Sequence, residues 1–68
     1  MIASDQELQT TLDRIAWFHK QVAHLRKTET DPVNYRAAAS GYLAEIDRMQ
    51  LEVREYFSFL PRESAGTR

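Results

Sequence analysis

The chain has 68 residues, 43% of them hydrophobic and 28% charged, with a formal net charge of −1 and no cysteine. That length allows one domain, near the size at which a single chain buries too little apolar surface to offset its ordering entropy. Disulfides and thiolate metal sites are excluded, the charge balance fits no polycationic nucleic-acid binder, and the hydrophobic content fits no disordered chain.

Met1-Ile2-Ala3 opens onto a polar stretch, with neither the basic segment and apolar run of an export signal nor a span long enough for a membrane. The expectation is a soluble, cytoplasmic protein with no membrane contact. Residues 1–4 read as a cap segment, because Ser4-Asp5-Gln6-Glu7 has the form of a capping box. In it, the Ser4 hydroxyl accepts from the Glu7 amide while Glu7 reaches back to the Ser4 amide. A helix over 5–27 follows, with apolar positions at Leu8, Leu12, Ile15, Phe18, Val22 and Leu25. Asp5 and Glu7 at its start, and His24, Arg26 and Lys27 at its end, suit the helix dipole.

The segment 28–31 breaks the pattern, and its Asp31-Pro32 pair both stops one helix and starts the next: Asp31 as N-cap, Pro32 in the first turn. The second helix is expected over 32–59, stopped by Pro61, with residues 61–68 as a flexible tail. Its seam is regular: Tyr35, Ala39, Tyr42, Ile46, Met49, Val53, Tyr56 and Leu60 follow one another at alternating steps of four and three. That is the spacing of a helix buried along one face against other helices. A short connection makes the two helices antiparallel neighbours, so the fold class is all-α, an αα-hairpin spanning 5–60.

Two helices cannot satisfy each other completely. Leu12, Ala16 and Trp17 lie beside the first seam, and Ala38, Leu43, Phe57 and Phe59 beside the second, so the apolar band is wider than one contact line needs. A homodimer forming a four-helix bundle recovers that surface. The expected oligomer interface is Tyr35, Ala39, Tyr42, Ile46, Met49, Val53, Tyr56 and Leu60 together with Phe18 and Trp17. Trp17 falls off the seam, either as a second core edge in the oligomer or as an exposed anchor for another protein. The tyrosine rings are expected to cover a core edge with their hydroxyls in solvent. Gly41 costs about 1 kcal/mol relative to alanine within a helix, which points to close helix approach or a local bend.

Chemistry-bearing patterns are sparse. His19 and His24, five apart, do not share a face, and no Glu-x-x-His pair is present, so no metal site or other cofactor is expected. There is no Gly-x-Ser-x-Gly turn or glycine-rich phosphate loop, and Glu45, Asp47, Glu52 and Glu55 alternate with Arg48 and Arg54 as a solvated salt-bridged face does. A non-enzymatic protein is expected. Arg14, Lys20, Arg26 and Lys27 give residues 14–27 four positive and no acidic side chains, the strongest pointer to nucleic acid. The competing reading is that this stretch and the net acidic stretch 45–55 attract each other across the bundle.

Leu12-Asp13-Arg14-Ile15-Ala16, Ala44-Glu45-Ile46-Asp47-Arg48-Met49 and Val53-Arg54-Glu55-Tyr56 resemble segments of short bacterial two-helix proteins of unassigned function, over about residues 7–62. Some similar hairpins are encoded as, or fused to, antitoxin-like regulators. The resemblance implies a helical hairpin and an interaction or regulatory role: a homodimer engaging another protein, or a small nucleic-acid-associated regulator using the basic half of the first helix.

Overall fold

The structure is a computed structural model that describes residues 1–60. The expected stop at Pro61 and the tail 61–68 lie outside the described residues. Two helices, α1 (Asp5–Thr28) and α2 (Pro32–Phe57), make up most of the remainder, and the described residues contain no strand.

α1 starts where a side chain can serve its otherwise unpaired first amides. Ser4 is extended, and its Oγ accepts from the Glu7 amide at 3.2 Å. The Glu7 carboxylate reaches one residue further back than the capping box requires, accepting from the Ala3 amide at 2.9 Å. This tie holds the N-terminal segment against the hairpin, where Ile2 becomes a core residue at 8% exposure. The segment 1–4 therefore packs as well as caps. At the other end α1 runs to Thr28, whose Oγ1 donates to the His24 carbonyl at 3.1 Å, while the Glu29 amide donates to the Leu25 carbonyl at 2.9 Å.

Asp31 caps α2 as expected: its Oδ1 accepts from the Val33 amide at 2.9 Å, with Pro32 in the first turn. α2 ends at Phe57, two residues before the expected 59. There the Ser58 amide donates to the Glu55 carbonyl, three residues back, at 3.1 Å, and the Ser58 hydroxyl donates to the Arg54 carbonyl at 2.9 Å. Such a tightened last turn closes the helix with the Arg54 and Glu55 carbonyls satisfied. Leu60, the last position of the expected seam, is therefore beyond the helix and exposed.

The helices pack antiparallel along their seams. The Phe18 ring lies 5.6 Å from that of Tyr42, Ile15 clusters with Ile46 and Met49, and Tyr56 reaches Asp5 at the open end. Ala39, Ile46 and Met49 are buried on α2, with Tyr35, Tyr42, Val53 and Tyr56 half-buried beside them. Ile15 and Val22 are their buried counterparts on α1. The hairpin measures 53 × 17 × 12 Å, a single layer of two helices. No large side chain is wholly shut off from solvent in so thin a body. Neither helix is long and apolar enough to cross a membrane.

Candidate interaction surface

Once the seams are joined, each helix still has two flanks. Seen from one end, antiparallel helices wind in opposite senses, so residues directly following a seam position fall on one broad side of the hairpin in both helices. Residues directly preceding a seam position fall on the other. The first face collects Leu12, Ala16, His19, Ala23 and Arg26 from α1 with Arg36, Leu43, Asp47, Arg54 and Phe57 from α2. The second collects Trp17 from α1 with Gly41, Glu45, Arg48 and Glu52 from α2.

The two faces differ in chemistry. On the second, Arg48 donates to Glu45 on one side and to Glu52 at 3.2 Å on the other, and the N-terminal amine lies 4.0 Å from Glu52. The Glu45 hydrogen bond and charge, aided by Glu52, hold the Arg48 guanidinium above its ordinary pKa. These are surface pairs whose charges already answer one another. Near them, Met1, Ile2, Glu52, Glu55, Tyr56 and Phe59 line an open hollow of about 430 Å³. On the first face the described residues form no ion pair; Leu12 and Leu43 stand exposed near Ala16, and Phe57 is exposed at the open end.

Trp17 divides between packing and solvent. Its ring lies 5.2 Å from Phe18 and 6.5 Å from Tyr42, yet it remains 52% exposed beside a hollow shared with Thr10, Asp13, Arg14 and Phe18. Of the ten residues expected at an oligomer interface, it and Leu60 are the exposed ones. The other eight line the seam within one hairpin. Leu12, Leu43 and Phe57 are the large apolar side chains left uncovered on the first face, joined on other sides by Val33, Leu51 and Phe59. Phe57, Phe59 and Leu60 are exposed, because Tyr56 is already level with Asp5 and the residues after it lie past the start of α1.

No family model, curated protein or solved structure matches the chain.

The charges separate along the hairpin. Because Phe18 is level with Tyr42, the stretch 14–27 lies beside the first half of α2, not beside residues 45–55. Within one hairpin the two stretches are not paired: among the described residues, Arg14, Lys20, Arg26 and Lys27 form no ion pair. The loop half instead gathers Lys20, Arg26, Lys27 and Arg36 against only Glu29 and Asp31. The open half gathers Asp5, Glu7, Asp13, Glu45, Asp47, Glu52 and Glu55 against Arg14, Arg48 and Arg54. One end is net positive and the other net negative.

His19 and His24 are exposed, and no group of three or more potential metal ligands forms among the described residues. Gly41 meets no atom within 4 Å of where a Cβ would stand, so close approach inside the hairpin does not explain it. Two contributors were not legible in the pattern. Ile2 lies outside any helical period, and its only signal is an isoleucine just before an N-cap, where apolar residues often fold back onto the helix. Tyr56 donates to Asp5 Oδ1 at 2.7 Å instead of turning its hydroxyl to solvent, and this bond, then burial, raises its pKa.

Proposed function

We propose that the chain is a small association module, a helical hairpin that pairs with a second copy into a four-helix bundle and presents its remaining surface to another protein. One observation carries this reading: among the described residues six hydrophobic ones are buried, while Leu12, Trp17, Leu43, Leu51 and Phe57 stay exposed. Burying a large aliphatic or aromatic side chain yields about 1.5–3 kcal/mol, so the uncovered set is worth as much as the net stability of many small domains. A second copy covers one face, and Trp17 on the opposite face is left as the anchor for a different partner. The same reading places the assembly in the cytoplasm and gives it no catalytic task. Sedimentation equilibrium at micromolar concentration tests the first step. Twice the chain mass is expected, and a folded species of single-chain mass refutes it.

A second reading rests on the unpaired cations of the loop half. Lys20, Arg26 and Lys27, with Arg36 near them, offer charges to phosphates as an antitoxin-like or other nucleic-acid-associated regulator requires. It predicts duplex binding that weakens with salt and with neutralisation of Lys20, Arg26 and Lys27. Absence of binding at low salt removes it.

A further inference from the structure

We infer that the partner anchored on Trp17 is an acidic amphipathic helix of another protein, with an apolar side chain against the indole and a carboxylate on either side of it. This rests on the reading above that Trp17 serves a different protein, and adds where that protein sits and what chemistry it carries.

Trp17 is the one tryptophan of the chain, and at 52% exposure it is the one open aromatic ring in the loop half of the two helices. Phe18 and Tyr42 hold its inner edge, so the ring is fixed on the hairpin with one side bare. A ring already ordered loses little freedom when a partner arrives, which is what an anchor needs. Beside it α2 shows Ala38 and Gly41, both exposed, and nothing lies within 4 Å of where a Gly41 Cβ would stand. This strip leaves room for another backbone to come close alongside the indole, as a helix seated in a groove does.

The charges next to Trp17 select the occupant. Arg14 and Lys20 stand three residues before and three after it, which places both beside the indole on α1. Neither forms an ion pair among the described residues. The carboxylate within the same reach, Asp13, accepts from the Gln9 side chain at 3.0 Å. Towards the loop no acidic residue occurs on α1 from Arg14 to Thr28 or on α2 from Pro32 to Ala44. Two such cations bracketing an apolar anchor call for two carboxylates bracketing an apolar side chain. Arg14 and Lys20 are about 9 Å apart along the axis, close to the ~10 Å between residues seven apart on one face of a partner helix. Nucleic acid fits this surface less well. Single strands are held by bases stacked in succession, whereas one ring is open here, and the net acidic row of Glu45, Arg48, Glu52 and Glu55 further along the face repels a chain of phosphates.

Trp17 reports on its own surroundings in the full chain. The probe is a synthetic helix about 20 residues long that carries Glu, Leu three residues later and Glu four after that, and its comparator has Lys in place of both Glu. The acidic probe is expected to shift Trp17 emission to the blue, with a dissociation constant about tenfold below the comparator's that rises between about 50 and 500 mM salt. Equal binding of the two peptides, or no shift with the acidic one, overturns the assignment. Gly41→Leu fills the strip where nothing meets its Cβ, so the chain should keep its helical circular dichroism and bind the acidic probe about tenfold more weakly. Undiminished binding by this variant moves the site off the strip and overturns it. Lys20→Gln is expected to weaken binding severalfold while Arg26→Gln, on the first face, leaves it unchanged, and equal losses in both overturn the placement. A blue shift with a single-stranded oligonucleotide and none with the peptide assigns the face to nucleic acid and overturns the proposal. Acrylamide quenching separates this failure from that of the reading beneath it. Trp17 open to the quencher yet indifferent to the acidic probe refutes only the chemistry given to the partner. Trp17 shielded in the chain alone shows that a second copy covers it, which refutes its role as an anchor for a different protein.

Discussion

Tyr56 is the one residue whose side chain hydrogen-bonds from α2 to α1 among the described residues, and it does so at the open end, where no loop holds the helices together. Its proton sits between a phenol and a carboxylate, so the bond exists only while the phenol is protonated. The folded pKa is raised above the unfolded value. The stabilisation is therefore fully present below the ordinary tyrosine range near pH 10 and is lost as pH rises through the folded value. Tyr56→Phe, which keeps the ring and deletes the donor, is expected to lower the melting temperature by a few degrees at pH 7. The gap to the parent chain should stay constant from pH 6 to 9 and close in strong alkali, as followed by circular dichroism. A gap that persists where the phenol is ionised would show that the hydrogen bond to Asp5 does not carry the effect.

At the scale of the element, the helices were readable because each has its own start signal and an unbroken apolar period, both local properties of the chain. Ser4 and Asp31 cap as their positions imply, and Asp31→Ala should cost about 0.5–2 kcal/mol in urea denaturation by leaving the Val33 amide without its acceptor. The ends were less legible. α2 stops at Phe57 because Ser58 turns back on Arg54 and Glu55, a choice among nearby hydrogen bonds that apolar spacing does not encode. At Gly41 the close approach expected from the sequence does not come from the other helix of the hairpin: a glycine within a helix signals that something is permitted, and only the neighbour decides whether it is used. Since nothing approaches it, Gly41→Ala should stabilise α2 by about 0.5–1 kcal/mol through helix propensity alone. A loss of stability on this substitution would mean that another chain presses against that position.

For the whole molecule, the antiparallel arrangement decides properties that neither helix carries alone. The basic stretch of α1 and the acidic stretch of α2 looked complementary in sequence, but complementarity depends on level, and Phe18 beside Tyr42 sets them apart. In the same way Leu12 and Leu43 become one surface only once the hairpin closes, while most of the seam read as an oligomer interface is used up inside one chain. A single layer 12 Å deep with six buried hydrophobic residues among the described ones is a small core for a chain that folds by itself. If pairing supplies the missing burial, the melting temperature must depend on protein concentration, because mass action favours the associated folded form. Each tenfold increase in concentration lowers the free energy of the dimer relative to two unfolded chains by about 1.4 kcal/mol. For a domain of this size that corresponds to a rise of several degrees. Melting the parent at 1, 10 and 100 μM should therefore give a stepwise increase, and the double substitution Leu12→Ser with Leu43→Ser should melt lower with no dependence on concentration. Its Ile15, Ile46 and Met49 cluster is untouched, so whatever cooperative unfolding survives measures what one hairpin can hold by itself. A parent chain whose melting temperature stays constant over that range would show that two helices suffice, and the exposed leucines would then need another explanation.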